Sequence, residues 1–154
     1  MANSIEHRLA DLGIVLPEPM APIANYVPWV VTGSLAVISG QVPAKDGKIA
    51  YTGRLPEQSV EYAVEAARTC FINVLVHLKA ATGGDLDRVR RVVRLGGFIA
   101  AAPEFTQHAL VMNGASDMAV EVFGDLGRHA RATIGVPSLP GNAIVEVEGL
   151  FEIA

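Results

Sequence analysis

The sequence has one cysteine, one tryptophan and three lysines among 154 residues, and each shortage closes off a class of protein. One thiol cannot build a disulfide framework within a chain, which agrees with a reducing compartment. With 12 basic against 16 acidic residues and a net charge of −4, nucleic acid is disfavoured as a partner, because such affinity comes from neutralising many phosphates. Apolar runs are short too. The stretch from Phe98 to Pro103 is among the longest, far below the roughly 18 residues that a membrane span needs, so no membrane partner is expected. The opening Met-Ala-Asn-Ser-Ile-Glu-His-Arg has neither a signal-peptide apolar core nor an Arg/Ser-rich transit pattern, which reads as a cytoplasmic domain.

What is abundant is small and apolar. Hydrophobic residues make up 51% of the chain, 41 residues are alanine or valine, and only 18% are charged. That composition excludes intrinsic disorder and fits one domain with a proper core. It also leaves apolar surface to spare for an oligomer interface.

Along the chain, Ile5, Leu9 and Leu12 recur at helical spacing between Ser4, an N-cap, and Gly13, a stop. Pro17, Pro19, Pro22 and Pro28 then forbid a helix and predict an extended arm. Trp29 to Ser39 reads as two strands around Thr32-Gly33-Ser34, and Asp46-Gly47 marks a second turn. The clearest element lies between Pro56 and Thr82, where Val60, Val64, Ala67, Phe71, Val74 and Leu78 form one apolar stripe, Glu57 sits in the first turn and Gly83-Gly84 follows the end. Arg88 to Ala100 is β-prone. A second helix is expected from Pro103-Glu104 to about Phe123 with a break near Asn113-Gly114. Arg131–Val136 and Ala143–Ile153 then read as a last strand pair across the turn-rich PSLPGN. The order predicts an α+β, two-layer domain with two main helices packed on one face of a mixed sheet.

Few residues suggest chemistry by type and spacing alone. Cys70, beside the apolar stripe, reads as a buried structural thiol. His7, His77, His108 and His129 show no metal-ligand spacing, so no metal is expected. Phosphate-loop and GxSxG patterns are absent. Arg90 and Arg94 alternate with Val89, Val93 and Leu95, and Glu146, Glu148 and Glu152 with Val145, Val147, Phe151 and Ile153, both as the wet face of a strand would.

Four segments in order are more specific: ANYVPWV (24–30), ISGQVP (38–43), HARATIGVPSLP (129–140) and IVEVEGLFEI (144–153). Together with Leu78-Lys79-Ala80-Ala81 and Gly84 to Val89, they resemble the reactive intermediate deaminase family, also called Rid or YjgF. The resemblance divides the chain into an amino-terminal helix and arm, residues 1–21, and a family-like domain, residues 22–154. The amino-terminal helix and VMNGASDMAVEVFGDLGRHAR resemble a longer branch, described as YjgF/chorismate-mutase-like or putative endoribonuclease proteins.

The resemblance implies a homotrimer, its sheets around a central barrel, with a ligand cleft between neighbouring chains. It implies 2-imino acids and enamines as substrates, hydrolysed to 2-oxo acids and ammonia without cofactor or metal. By motif match Arg131 takes the place of the family's carboxylate-binding arginine and Glu146 that of its glutamate, which positions water. Tyr26, Ser39, Asn113 and Thr133 fall at substrate-binding positions. An arginine fork suits a planar carboxylate, and a protonated imine asks only for an oriented water and managed protons. The chain departs from the short branch at Thr133, where that branch commonly has cysteine, at His129 in place of proline, and at Ala24-Asn25 in place of Gly-Pro. Two other functions stand beside this one: a non-catalytic trimer that binds or senses small carboxylates, and an endoribonuclease or translation inhibitor, which the charge balance opposes.

Overall fold

A computed structural model describes residues 4–19, 21–22 and 24–154. Helix α1 (Ile5–Asp11) starts where Ser4 accepts a hydrogen bond from the His7 amide at 3.2 Å, and Gly13 follows it at φ 71°. Its Leu9 is buried in the core. The proline-spaced arm then carries no helix or strand among the described residues until β1 (Trp29–Thr32). Gly33 turns the chain into β2 (Leu35–Gln41), which pairs antiparallel with β1. The small hairpin of β3 (Ala44–Lys45) and β4 (Lys48–Ile49) turns on Asp46 and Gly47 at φ 53° and 76°, the doubly left-handed turn that Asp-Gly favours.

Helix α2 (Val60–Ala81) begins at the first residue of its predicted stripe, where Ser59 caps it by accepting from the Tyr62 amide at 3.1 Å; Glu57 lies before the helix and Glu61 is the first-turn acid. Its buried band is wider than the expected stripe and adds Ala63, Ala66, Cys70 and Leu75. The extra width has a cause: α2 packs on the sheet and also against α3 (His108–Phe123). Helix α3 starts after the turn at Pro103 and runs unbroken through Asn113-Gly114. Gly114 marks a close approach instead, since a Cβ there would collide with the Val64 carbonyl of α2.

The five-stranded sheet has the order β1-β2-β7-β5-β6, with β5 spanning Val89–Ala100, β6 Ala130–Val136 and β7 Val145–Ile153. The last two strands are therefore not a hairpin. Strand β6 runs parallel to β5 through the α3 crossover, while β7 lies antiparallel between β5 and β2. The PSLPGN segment carries the chain past β5, with a 3-10 turn at Pro140–Asn142. Two register shifts in β5, between Val89 and Arg91 and between Val92 and Arg94, also break the expected alternation; Val92 is buried and Val93 only half-buried. The result is an α+β domain in which three helices pack on a mixed sheet. Phe71, Leu75, Leu95, Met112, Met118 and Phe151 fill the layer between. Among the described residues no helix is long and apolar enough to cross a membrane.

Candidate functional site

The sequence-predicted site residues fall into two groups. Arg131, Thr133 and Asn113 form one. Arg131 stands opposite the buried Leu95 and Thr133 opposite Gly97, on the face of β6 that meets α3. The Arg131 Nη1 donates to Asn113 Oδ1 at 2.9 Å and to Ser116 Oγ at 3.0 Å, and Nη2 donates to the Ala109 carbonyl at 3.3 Å. Positions 109, 113 and 116 lie four and three apart, so α3 offers all three acceptors from one face. A guanidinium has five N–H groups, and the two left without a protein partner among the described residues are on Nε and Nη2. That adjacent pair matches the two oxygens of a carboxylate. Close by on the same strand face, the Thr133 hydroxyl oxygen is buried with no hydrogen-bond partner among the described residues, a state that costs free energy unless a ligand or water satisfies it.

Glu146, Tyr26 and Ser39 form the second group. Glu146 stands opposite Phe98 on β7, on the face turned away from the helices, together with Glu148 and Glu152. Its carboxylate reaches a cleft of about 300 Å³ bounded by the arm, by Gly40 to Ala44 and by Asn73, Val76 and His77 of α2. The cleft exists because β2 leaves its pairing with β7 through an irregularity between Ile38 and Gln41. Gly40 leaves room for the carboxylate at that point, as a Cβ would sit 2.7 Å from Glu146 Oε2. Burial, and then the neighbouring Glu148 charge, raise the Glu146 pKa from its ordinary value, which brings the carboxyl nearer to the range useful for proton transfer. Tyr26 is half exposed on the cleft wall. The Ser39 hydroxyl donates to the Val27 carbonyl at 2.8 Å and its amide to Pro28 at 2.9 Å, so Ser39 ties the Tyr26 segment to β2.

Within one chain the groups do not meet. Leu95 and Phe98 are an odd number of residues apart on β5, which puts Arg131 and Glu146 on opposite sheet faces. Three residues along the strand and two strand spacings across separate their backbones by roughly 10 Å in each direction. A single small imino acid cannot touch both.

Other side chains at these two places went unread in the sequence. Ser116 was hidden by the expected helix break, although its spacing from Asn113 is the signal that finds it. Asn73 donates to the Val42 and Ala44 carbonyls at 3.1 and 3.0 Å and fixes one edge of the cleft. His77 also lines the cleft, where burial lowers its pKa from the ordinary value. Cys70 is fully buried, its thiol pushed well up by burial and then by Glu146, and it donates to the Val145 carbonyl at 3.4 Å; it is structural, as its place beside the stripe predicts. Among the described residues no three His, Cys, Asp or Glu side chains gather as a metal site.

Known proteins are similar to this chain over nearly all of its length. TCP17 of Trypanosoma cruzi is 46% identical over 154 residues, covering 99% of this chain and 96% of that protein. The crystal structure of Atu1372 from Agrobacterium tumefaciens, a protein with unknown function, is 47% identical, covers 98% of this chain and 94% of its own, and superposes with a TM-score of 0.91. That of a putative endoribonuclease from Shewanella oneidensis is 34% identical, with coverage of 98% and 100% and a TM-score of 0.94. The family model described as YjgF/chorismate mutase-like, putative endoribonuclease matches residues 6–153, and the chain belongs to that family.

Proposed function

We propose that the protein hydrolyses 2-imino acids and their enamine tautomers to 2-oxo acids and ammonia, in a cleft completed by a second copy of the chain within a homotrimer. The observation that carries this reading is the division of the site: a carboxylate-matching fork on one sheet face and a proton-managing carboxyl in a cleft on the other. A cyclic assembly brings one copy's Arg131 to its neighbour's Glu146. Exposed Val30, Val37 and Ile134 on the face turned away from the helices are apolar surface suited to such packing. The end of the amino-terminal arm then serves the domain of residues 22–154 by walling the cleft, where Glu18, Pro19 and Ala21 stand.

In this site the substrate carboxylate lies on the Nε and Nη2 edge of Arg131, with Asn113 holding the guanidinium and the Thr133 hydroxyl free to hydrogen-bond the ligand. Glu146, beside Tyr26, takes a proton from water as the water oxygen bonds to the imine carbon and the C=N electron pair moves to nitrogen. Glu146 then passes that proton to the nitrogen, the C–N bond breaks as the carbinol oxygen forms the C=O bond and gives up its own proton to Glu146, and ammonia leaves behind the 2-oxo acid. A cationic imine is electrophilic enough that orientation and proton transfer suffice.

The test generates imines in situ with an amino-acid oxidase or dehydratase, with semicarbazide as a competing trap. Wild type is expected to speed 2-oxo acid release for at least one imine and Arg131→Ala to lose that effect. Equal acceleration by both proteins overturns the assignment, and carboxylate binding without turnover of any imine favours the non-catalytic trimer.

A further inference from the structure

Arg131 is held by more than the residues that would touch a ligand. Behind it runs a chain of hydrogen bonds whose direction is fixed by chemistry. His129 Nδ1 lies 2.6 Å from the Gly127 carbonyl oxygen, which can only accept, so Nδ1 carries the proton. In the neutral ring Nε2 is then an acceptor, and the Ser116 hydroxyl 2.9 Å away must donate to it. That leaves the Ser116 oxygen free to accept from Arg131 Nη1 at 3.0 Å. The order is Arg131 to Ser116 to His129 to Gly127, each donor used once.

Protonation of His129 reverses one link. With Nε2 also a donor, the Ser116 oxygen faces two cationic donors, and its own proton loses its acceptor. Two cationic donors then share the one Ser116 oxygen and repel each other, which weakens its hold on Arg131 Nη1 and leaves Asn113 Oδ1 as the stronger acceptor. We infer that Ser116 and His129 are positioning residues, forming a relay that locks the Arg131 fork while His129 is neutral and releases it when His129 is protonated. The inference rests on the reading of Arg131 as the carboxylate site, and it adds a regulation to it: ligand affinity tied to the protonation of one histidine that no ligand touches.

Several charged groups lie on the elements packed about His129. On β6 there is Arg131 itself, and in the preceding turn Arg128 and Asp125, paired at 3.4 Å. From β5 come Arg91, whose Nη2 donates to the Arg128 carbonyl at 3.4 Å, and Arg94, opposite Ala130. From α3 come Asp117, next to Ser116, and Glu121, which Arg68 holds at 3.5 Å. His108 lies near this strand as well, its Nε2 against Gly135. All of these remain in a His129 variant, so a comparison of variants isolates the relay.

The experiment measures the Kd of a small 2-oxo acid by calorimetry between about pH 5 and 8, the range in which histidine changes charge. It uses wild type, Ser116→Ala, His129→Gln and Arg131→Ala, with thermal melts to confirm folding. A Gln at 129 can accept from Ser116 through Oε1 but cannot be protonated. Wild type is expected to weaken roughly 3- to 10-fold as pH falls, the scale of one ordinary hydrogen bond weakened or lost. His129→Gln should bind as wild type does at the alkaline end and show less pH dependence, and Ser116→Ala should be weak throughout. If Ser116→Ala and His129→Gln both keep the wild-type Kd and pH profile while Arg131→Ala loses binding, the relay is refuted and the carboxylate site stands. If Arg131→Ala binds as wild type does, both fall.

Discussion

Replacing Arg131 separates charge from geometry. Two N–H groups, on Nε and Nη2, remain for a ligand after α3 has taken the other three. A hydrogen bond to an ionised partner contributes about 1.5–3 kcal/mol, so a bidentate contact to a carboxylate is expected to supply at least about 3 kcal/mol. At about 1.4 kcal/mol per tenfold, Arg131→Ala should weaken a 2-oxo acid by roughly 100-fold or more. Arg131→Lys tests the fork itself. The ammonium keeps the charge but has one nitrogen, and Asn113, Ser116 and the Ala109 carbonyl compete for its protons, so a loss of at least roughly 10-fold is expected. Both variants should melt within a few degrees of wild type, because the side chain is exposed and holds no core contact. Calorimetric titration with the 2-oxo acid, alongside the semicarbazide competition assay, measures both effects. A lysine variant that binds as tightly as wild type would refute the bidentate geometry.

Three further outcomes follow from particular contacts. Gly40→Ala should fold normally, since the atom it meets is the movable end of Glu146, yet displace the carboxylate and lower turnover roughly 10- to 100-fold; unchanged kcat with an unshifted melt would contradict the placement. Gly114→Ala should lose about 1–3 kcal/mol in denaturant unfolding, because the Val64 carbonyl is backbone and α2 must move, and a wild-type midpoint would show that the helices do not meet there. Burial and then Glu148 raise the Glu146 pKa, so the native protein keeps a proton that the unfolded chain releases above the ordinary carboxylate value. Wild type should therefore lose stability relative to Glu146→Gln as pH rises through the raised pKa, with no difference in more acidic solution; a gap that widens toward acid would have the wrong sign.

Much of the fold was legible because local chemistry and pattern agreed. Ser4 and Gly13 bound α1, Asp46-Gly47 turns a hairpin, and the valines of β7 alternate with its glutamates. The misreadings have long-range causes. Gly114 reads as a helix break because its role depends on α2, some 50 residues earlier in the chain, and the alternation of Val89, Val93 and Leu95 with Arg90 and Arg94 fails because the register shifts in β5 arise in its pairing with β7. Nothing in PSLPGN says whether two strands pair directly or admit a third between them. Arg131 and Glu146 could be named from their motifs, but that they lie on opposite faces depends on β6 joining β5 in parallel. Ser116 and His129 lie in segments that carry the resemblance, but nothing in those segments shows that the two meet; the packing of α3 beside β6 brings Ser116 to both His129 and Arg131.

A site divided between copies can be tested by mixing two inactive variants. Arg131→Ala keeps Glu146, and Glu146→Gln keeps Arg131, so a trimer assembled from both restores an intact site wherever the Arg131 of one chain meets the Glu146 of the other. Random assembly at equal amounts makes about one site in four intact. Co-refolded mixtures are expected to recover roughly a quarter of wild-type imine hydrolysis while each variant alone stays inactive, and a mixture no more active than its components would contradict the shared site.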